Sequence, residues 1–195
     1  MAYPAEAQNG LGLETDTLAR TVRVHPVIDT DKDGLDLWSR EHKYSPDLGQ
    51  WDQLARDFLV ARTGGDGITR PYRRGTGGKH NENWFGWRRE VLAPFDGTVT
   101  RIQRPDSTNT PGMKGEGQPG GVFFESGAVT VLYGHVREIE VEEGQRVRAG
   151  EVVAKVGNNG NSTAPHVHVG AWTNGTPLQI QVVLHAGAEE GPTMK

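Results

Sequence analysis

Apolar and polar residues alternate in short runs over most of the chain, and the runs are separated by turn-forming residues. Thr21 to Val27 (TVRVHPV) alternates as a short strand does. Beyond Gly78 a succession of such runs follows: EVLAP, GTVTRI, GGVFFES, AVTVLYGHV, EIEV, QRV, EVVAKVG, HVHVGAW and IQVVL. Their spacing predicts an antiparallel sheet or flattened barrel. One stretch carries a different period. In Asp47 to Arg62 (DLGQWDQLARDFLVAR), Leu48, Trp51, Leu54, Phe58 and Leu59 fall on one face of a helix, so a packing helix is predicted there.

Between these regions, Thr63 to Gly78 (TGGDGITRPYRRGTGG) is dense in Gly and Arg and predicts a linker or a loop entering the main domain. RPDSTNTPGMKGEGQPGG predicts a long exposed loop, and loops of that length are more often functional or mobile than idle. Residues 1–20 are polar and aperiodic, which predicts a tail or loosely held arm. The domain reading is an N-terminal arm and helical segment over 1–74, a main domain over 75–184 and a tail over 185–195.

Composition narrows the function classes. With 27 Gly and 11 Pro in 195 residues, long helices are hard to place and a mainly β fold is favoured. The net charge of −4 arises from interspersed acids and bases with no long basic run, so a nucleic-acid partner is not expected. Without Cys there are no disulfides, thiolate metal sites or cysteine nucleophile, and any metal must be held by His, carboxylate or amide. No apolar stretch suits a membrane span or a signal sequence.

Candidate chemistry lies in the histidines. His166 and His168 are two apart in a strand-like run, which sends both imidazoles to one face while Val167 and Val169 enter the core. Two inward imidazoles are costly unless paired or metal-bound. His135 stands at the end of a predicted strand just before a turn, and His80 lies among polar residues where the sheet region begins. Separate segments offering histidine are what a zinc site with N and O ligands and one open position requires. His25, His42 and His185 carry no such context and are assigned ordinary hydrogen-bonding or surface roles. Asp29, Asp31 and Asp33 ahead of Gly34 imitate the start of a calcium loop, but the twelfth position holds Arg40 where a bidentate carboxylate is needed. The alternative is an acidic turn capping the predicted helix.

Two strings then resemble a known family. YGHVREIEVEEGQRVRAGEVVAKVGNNGNSTAPHVHV and VLAPFDGTV are similar to the core of the lysostaphin-type zinc metallopeptidases, over roughly residues 75–184. The resemblance implies the antiparallel sheet or flattened barrel of that fold, a duplicated hybrid motif, preceded here by a short N-terminal segment containing one helix. It also implies that His168 and His80 are zinc ligands, that His166 is the general base, and that His135 holds the oxyanion or shuttles its proton. The family's aspartate, four residues after the first histidine, is replaced by Trp84. Glu82 and Asn83 are the nearby substitutes. The implied activity is zinc-dependent endopeptidase cleavage of cross-links or stem peptides of bacterial peptidoglycan, in an extracytoplasmic setting. A domain that has lost hydrolysis and serves binding or regulation is the alternative, because of Trp84. A biotinyl or lipoyl carrier hairpin also shares the glycine spacing, but such modules present a modifiable lysine at a hairpin tip, and no lysine of that kind stands between the two half-motifs.

Overall fold

The structure is a computed structural model describing residues 21–30 and 34–183. The calcium-loop expectation falls partly outside these residues, since Asp31 and Asp33 are not among them; nor is His185. The strands, in chain order, begin with β1 (Thr21–Val24), β2 (Asp36–Glu41), β3 (Arg56–Thr63) and β4 (Thr69–Arg70). They continue with β5 (Glu90–Leu92), β6 (Gly97–Gln103), β7 (Gly121–Ser126), β8 (Val129–Gly134) and β9 (Val136–Arg137). The last are β10 (Arg146–Val147), β11 (Val152–Val156), β12 (Val167–Thr173), β13 (Thr176–Pro177) and β14 (Gln179–Val182). The fold is mainly β, as the short alternating runs predict.

The principal sheet runs β10-β6-β7-β8-β12-β3-β2, with β13 added on β12 and β4 on β3. Its pairings are antiparallel. A three-stranded sheet, β5-β11-β9, and a parallel pair of β1 with β14 complete the strand set among the described residues. Alternation explains how one face of the principal sheet becomes core. Val99, Val122, Phe124, Val131, Tyr133, Val167 and Val169 are all fully buried. They join Val91, Val153, Ala154 and Val156 of the smaller sheet in one cluster, so the two sheets share a core. Each such side chain contributes about 1.5–3 kcal/mol relative to exposure, and the summed burial fixes which face of every strand points inward. The opposite face is left for chemistry.

The helix predicted over Asp47 to Arg62 is not formed. Residues 46–54 run through turns that leave Leu48 and Trp51 exposed, and the rest is β3. The reason is tertiary. β3 pairs with β2 on one side and with β12 on the other, burying Phe58 and Val60, and two ladders outweigh a modest helical propensity. The segment before Gly75 therefore supplies β1 to β4, two of them integral to the principal sheet. Among the described residues the one helical element is a 3₁₀ turn, Asn81–Asn83.

Candidate functional site

The cleft face of the principal sheet carries the chemistry. β12 sends Val167 and Val169 into the core and His168 to the opposite side, where its register partner on β3 is Asp57. The chain leaving β2 at Glu41 places His42 beside the same carboxylate. His42, Asp57 and His168 each offer one donor atom, and the three atoms lie within 4.8 Å of one another.

Hydrogen bonds on the outer side of each ring decide what faces inward. His42 Nδ1 stands 2.6 Å from Asp52 Oδ1, so it carries the proton and donates to that carboxylate. His168 Nε2 donates to the Trp51 carbonyl at 3.1 Å. Each ring therefore turns a lone pair toward Asp57 Oδ1: His42 Nε2 at 3.0 Å and His168 Nδ1 at 3.2 Å. Three acceptors with no hydrogen between them repel unless a cation stands among them, and the outer partners are of the kind that fix metal-binding tautomers. The donor set, two imidazole nitrogens and one carboxylate oxygen, fits a divalent cation of borderline softness. Burial pushes the Asp57 carboxyl up; in the state in which protons instead of a cation occupy the inward ring nitrogens, hydrogen bonds from His166, His168 and His42 and the charge on His166 hold it well below the usual carboxylate range.

Two more imidazoles border this cluster. His166 donates Nδ1–H to the Ala164 carbonyl at 2.8 Å, leaving its Nε2 lone pair 3.5 Å from Asp57 Oδ1. His135 follows Gly134 directly, where strict alternation would turn it away from the cleft. Its φ of 62° breaks the alternation and brings its ring to 4.7 Å from His166, centroid to centroid. A reciprocal clamp holds it there: His135 Nδ1 donates to the Asn159 carbonyl at 2.9 Å, while Asn159 Nδ2 donates back to the His135 carbonyl at 3.0 Å. Burial, then the fields of His166 and His168, push the His135 ring down to about 3, so it is neutral at physiological pH.

The loop after β11 is itself anchored by amides. Asn158, buried, donates to Asn81 Oδ1 at 2.9 Å and accepts from Ser162 Oγ at 2.8 Å. Asn109 Nδ2 donates to the Gly160 and Ser162 carbonyls, tying the long loop after β6 to the same wall. The resulting cleft has a volume of about 770 Å³.

Residues 86–180 match the family model for peptidase family M23. Over those residues the chain is similar to that family. A DD-carboxypeptidase/endopeptidase, Mpg of Neisseria meningitidis serogroup B, is 35% identical over 96 residues, which is 49% of this chain and 22% of that protein. The glycyl-glycine endopeptidase ALE-1 of Staphylococcus capitis is 37% identical over 60 residues, 31% of this chain and 17% of that protein. The chain thus spans about a fifth of the length of the curated relatives it matches. Among solved structures, the catalytic domain of lysostaphin from Staphylococcus simulans aligns at a TM-score of 0.44 and 20% identity, over 73% of this chain and 88% of that one.

The M23 match begins after β3, so His42 and Asp57 lie outside it. The structure gathers His135, His166 and His168 in one cleft, as their sequence contexts imply. It does not bring His80, Glu82 or Asn83 to them, and none of the three lines the cleft. His80 begins the 3₁₀ turn, where its backbone N–H donates to Asn83 Oδ1 at 3.0 Å. Glu82 is exposed on that turn, and its carbonyl accepts from Arg73. A turn in place of the expected strand removes the shared face on which the pairing of His80 with Glu82 depends. Trp84 donates its indole N–H to the Gly78 carbonyl at 2.9 Å and packs edge-on against Tyr72.

Sequence reasoning missed His42, Asp52 and Asp57. One signal was present: Asp66-Gly67 is a hairpin dipeptide, and it joins β3 to β4 just where the helix reading ends. Reading it as a turn makes the preceding RDFLVART a strand with Asp57 and Phe58 on opposite faces.

Proposed function

We propose that the chain is a zinc-dependent endopeptidase that hydrolyses peptide cross-links or stem peptides of bacterial peptidoglycan outside the cytoplasm. The observation that carries the reading is the convergence of the His42 and His168 lone pairs on Asp57 Oδ1, with both outer ring nitrogens already committed as donors. His42, Asp57 and His168 would hold the ion, and Asp52 would orient His42. A zinc ion there supplies Lewis acidity and a water acidified to near neutrality.

The chain's own groups do the rest. His166 is oriented by its Nδ1–H bond to Ala164, and its free Nε2 accepts the proton of the attacking water. His135 is neutral, with its Nδ1–H bound to Asn159, so it faces His166 as a proton acceptor and serves as a shuttle toward the leaving amine rather than as a standing oxyanion donor. The shuttle is the sharper of the two roles that the family resemblance implies for His135. The reading of a domain without hydrolysis rested on Trp84 in place of an aspartate; Asp57 supplies a carboxylate beside two imidazoles, which supports hydrolysis instead.

The test is turbidity loss of a purified cell-wall suspension, with metal content measured on the same preparation. Zinc-loaded protein is expected to clear the suspension. His168→Ala is expected to lose both zinc and clearing, and clearing that survives this substitution overturns the assignment.

A further inference from the structure

The cleft face of the principal sheet is organised in rows that cross the strands. One row runs Gln103, Gly121, Gly134, His168, Asp57, Arg40, each the register partner of the next. Its second and third positions are glycines, so β7 and β8 present bare backbone between the metal ligands and β6. A Cβ at Gly134 would stand 3.3 Å from the His168 Cβ, and one at Gly121 3.4 Å from Gln103 Oε1. The neighbouring row, Arg101, Phe123, Leu132, walls this trough on one side. At the other side the strands run out into His135, His166 and the loops that carry Lys114 and Thr163.

Arg101 belongs to the cleft because of an irregularity. Val99, two residues earlier, is buried in the core, and regular alternation would bury Arg101 with it. A bulge between Val99 and Arg101 shifts the register by one residue and turns the arginine to the opposite face. There its guanidinium lies over the Phe123 ring at 5.2 Å, and that ring meets Trp172 edge-on at 6.3 Å. Arg101 is exposed and makes no ion pair among the described residues. The carboxylates lining the cleft, Asp52 and Asp57, are engaged by His42 and His168. A seated cation with no anion of its own is thus offered to whatever lies in the trough.

We infer that Arg101 is a specificity residue that reads a carboxylate on the bound peptide, several residues from the bond to be cut. The inference rests on the peptidase reading above and names its substrate class: a slim peptide with an acidic group at one fixed distance. Three strand spacings separate β12 from β6, or about 14 Å. An extended peptide covers that in about four residues.

The probes are glycine nonapeptides carrying a single Glu moved position by position, with a matched Gln series. Zinc-loaded protein is incubated with each, and products are located by mass spectrometry. Cleavage is expected three to five residues from Glu and to move with it, with KM about tenfold lower than for the Gln partner. Because Arg101 is remote from the reacting bond, kcat should differ little. Arg101→Gln, which keeps a stem over Phe123, should bring the Glu series to the Gln level. Cleavage indifferent to the position of Glu overturns the inference and leaves the peptidase reading standing. If no peptide is cut, the fault lies with the peptidase reading for these substrates, and fluorescence anisotropy decides the subsite separately: equal affinity for labelled Glu and Gln peptides overturns it.

Discussion

Asp52→Asn is the substitution that separates a built metal centre from a chance meeting of imidazoles. Asp52 is not among the three inner donors; it accepts the His42 Nδ1 proton at 2.6 Å and lies 3.9 Å from His168 Nε2. Asparagine keeps an oxygen to accept that proton, so the tautomer survives while the negative charge that makes the ring a better donor is lost. Outer-shell changes of this kind weaken metal affinity roughly 10- to 100-fold. The Asp52 side chain is 31% exposed, so water screens part of its charge, and the lower end, about tenfold, is expected. Asp52→Ala also frees the tautomer and should reach the upper end. Competition with a chromogenic chelator measures both. At saturating zinc a tenfold loss also removes about 1.4 kcal/mol of ligand-derived stability, visible as a lower thermal midpoint only when zinc is present. If both variants bind zinc as the wild type does, Asp52 does not set the His42 ring, and the converging lone pairs lose their meaning.

Other expectations are simpler. His42→Ala should abolish stoichiometric zinc binding, whereas His80→Ala should leave it unchanged; the reverse result in a metal assay would return the first ligand to the 3₁₀ turn. Asn158→Ala removes two buried donations and one acceptance, so urea unfolding should show a loss of about 2–4 kcal/mol. A loss below 1 kcal/mol would mean that the amide wall does not brace the cleft. The metal-free protein should lose stability on acidification through His135, which faces Asp57, His166 and His168. Its folded pKa lies at about 3, below the unfolded value near 6.5, so the unfolded chain binds the extra proton between those limits. Stability then falls by at most about 1.4 kcal/mol per pH unit as pH drops through that window. His135→Asn, which tolerates the left-handed backbone, should flatten the decline.

What could be read from the chain follows the range of the interactions involved. His166 and His168 were legible because a two-residue period is local, and Val167 and Val169 confirm its phase by their burial. His135 was placed correctly at a strand end, but its entry into the cleft depends on a left-handed backbone that no local pattern announces. His42 and Asp57 were not legible. Their segment also fits a helical period, and they become partners of His168 only through pairing across β2, β3 and β12. Arg101 is a similar case, since its face is decided by a bulge rather than by its spacing from Val99.

The order of synthesis follows from how β1 and β14 lie together. Thr21 pairs with Gln179 and Val24 with Val182, so β1 must wait for a strand synthesised more than 150 residues later. Asp57 waits in the same way for His168. A ribosome that has not yet passed β12 and β14 therefore carries neither the paired β1 nor the complete donor set of His42, Asp57 and His168.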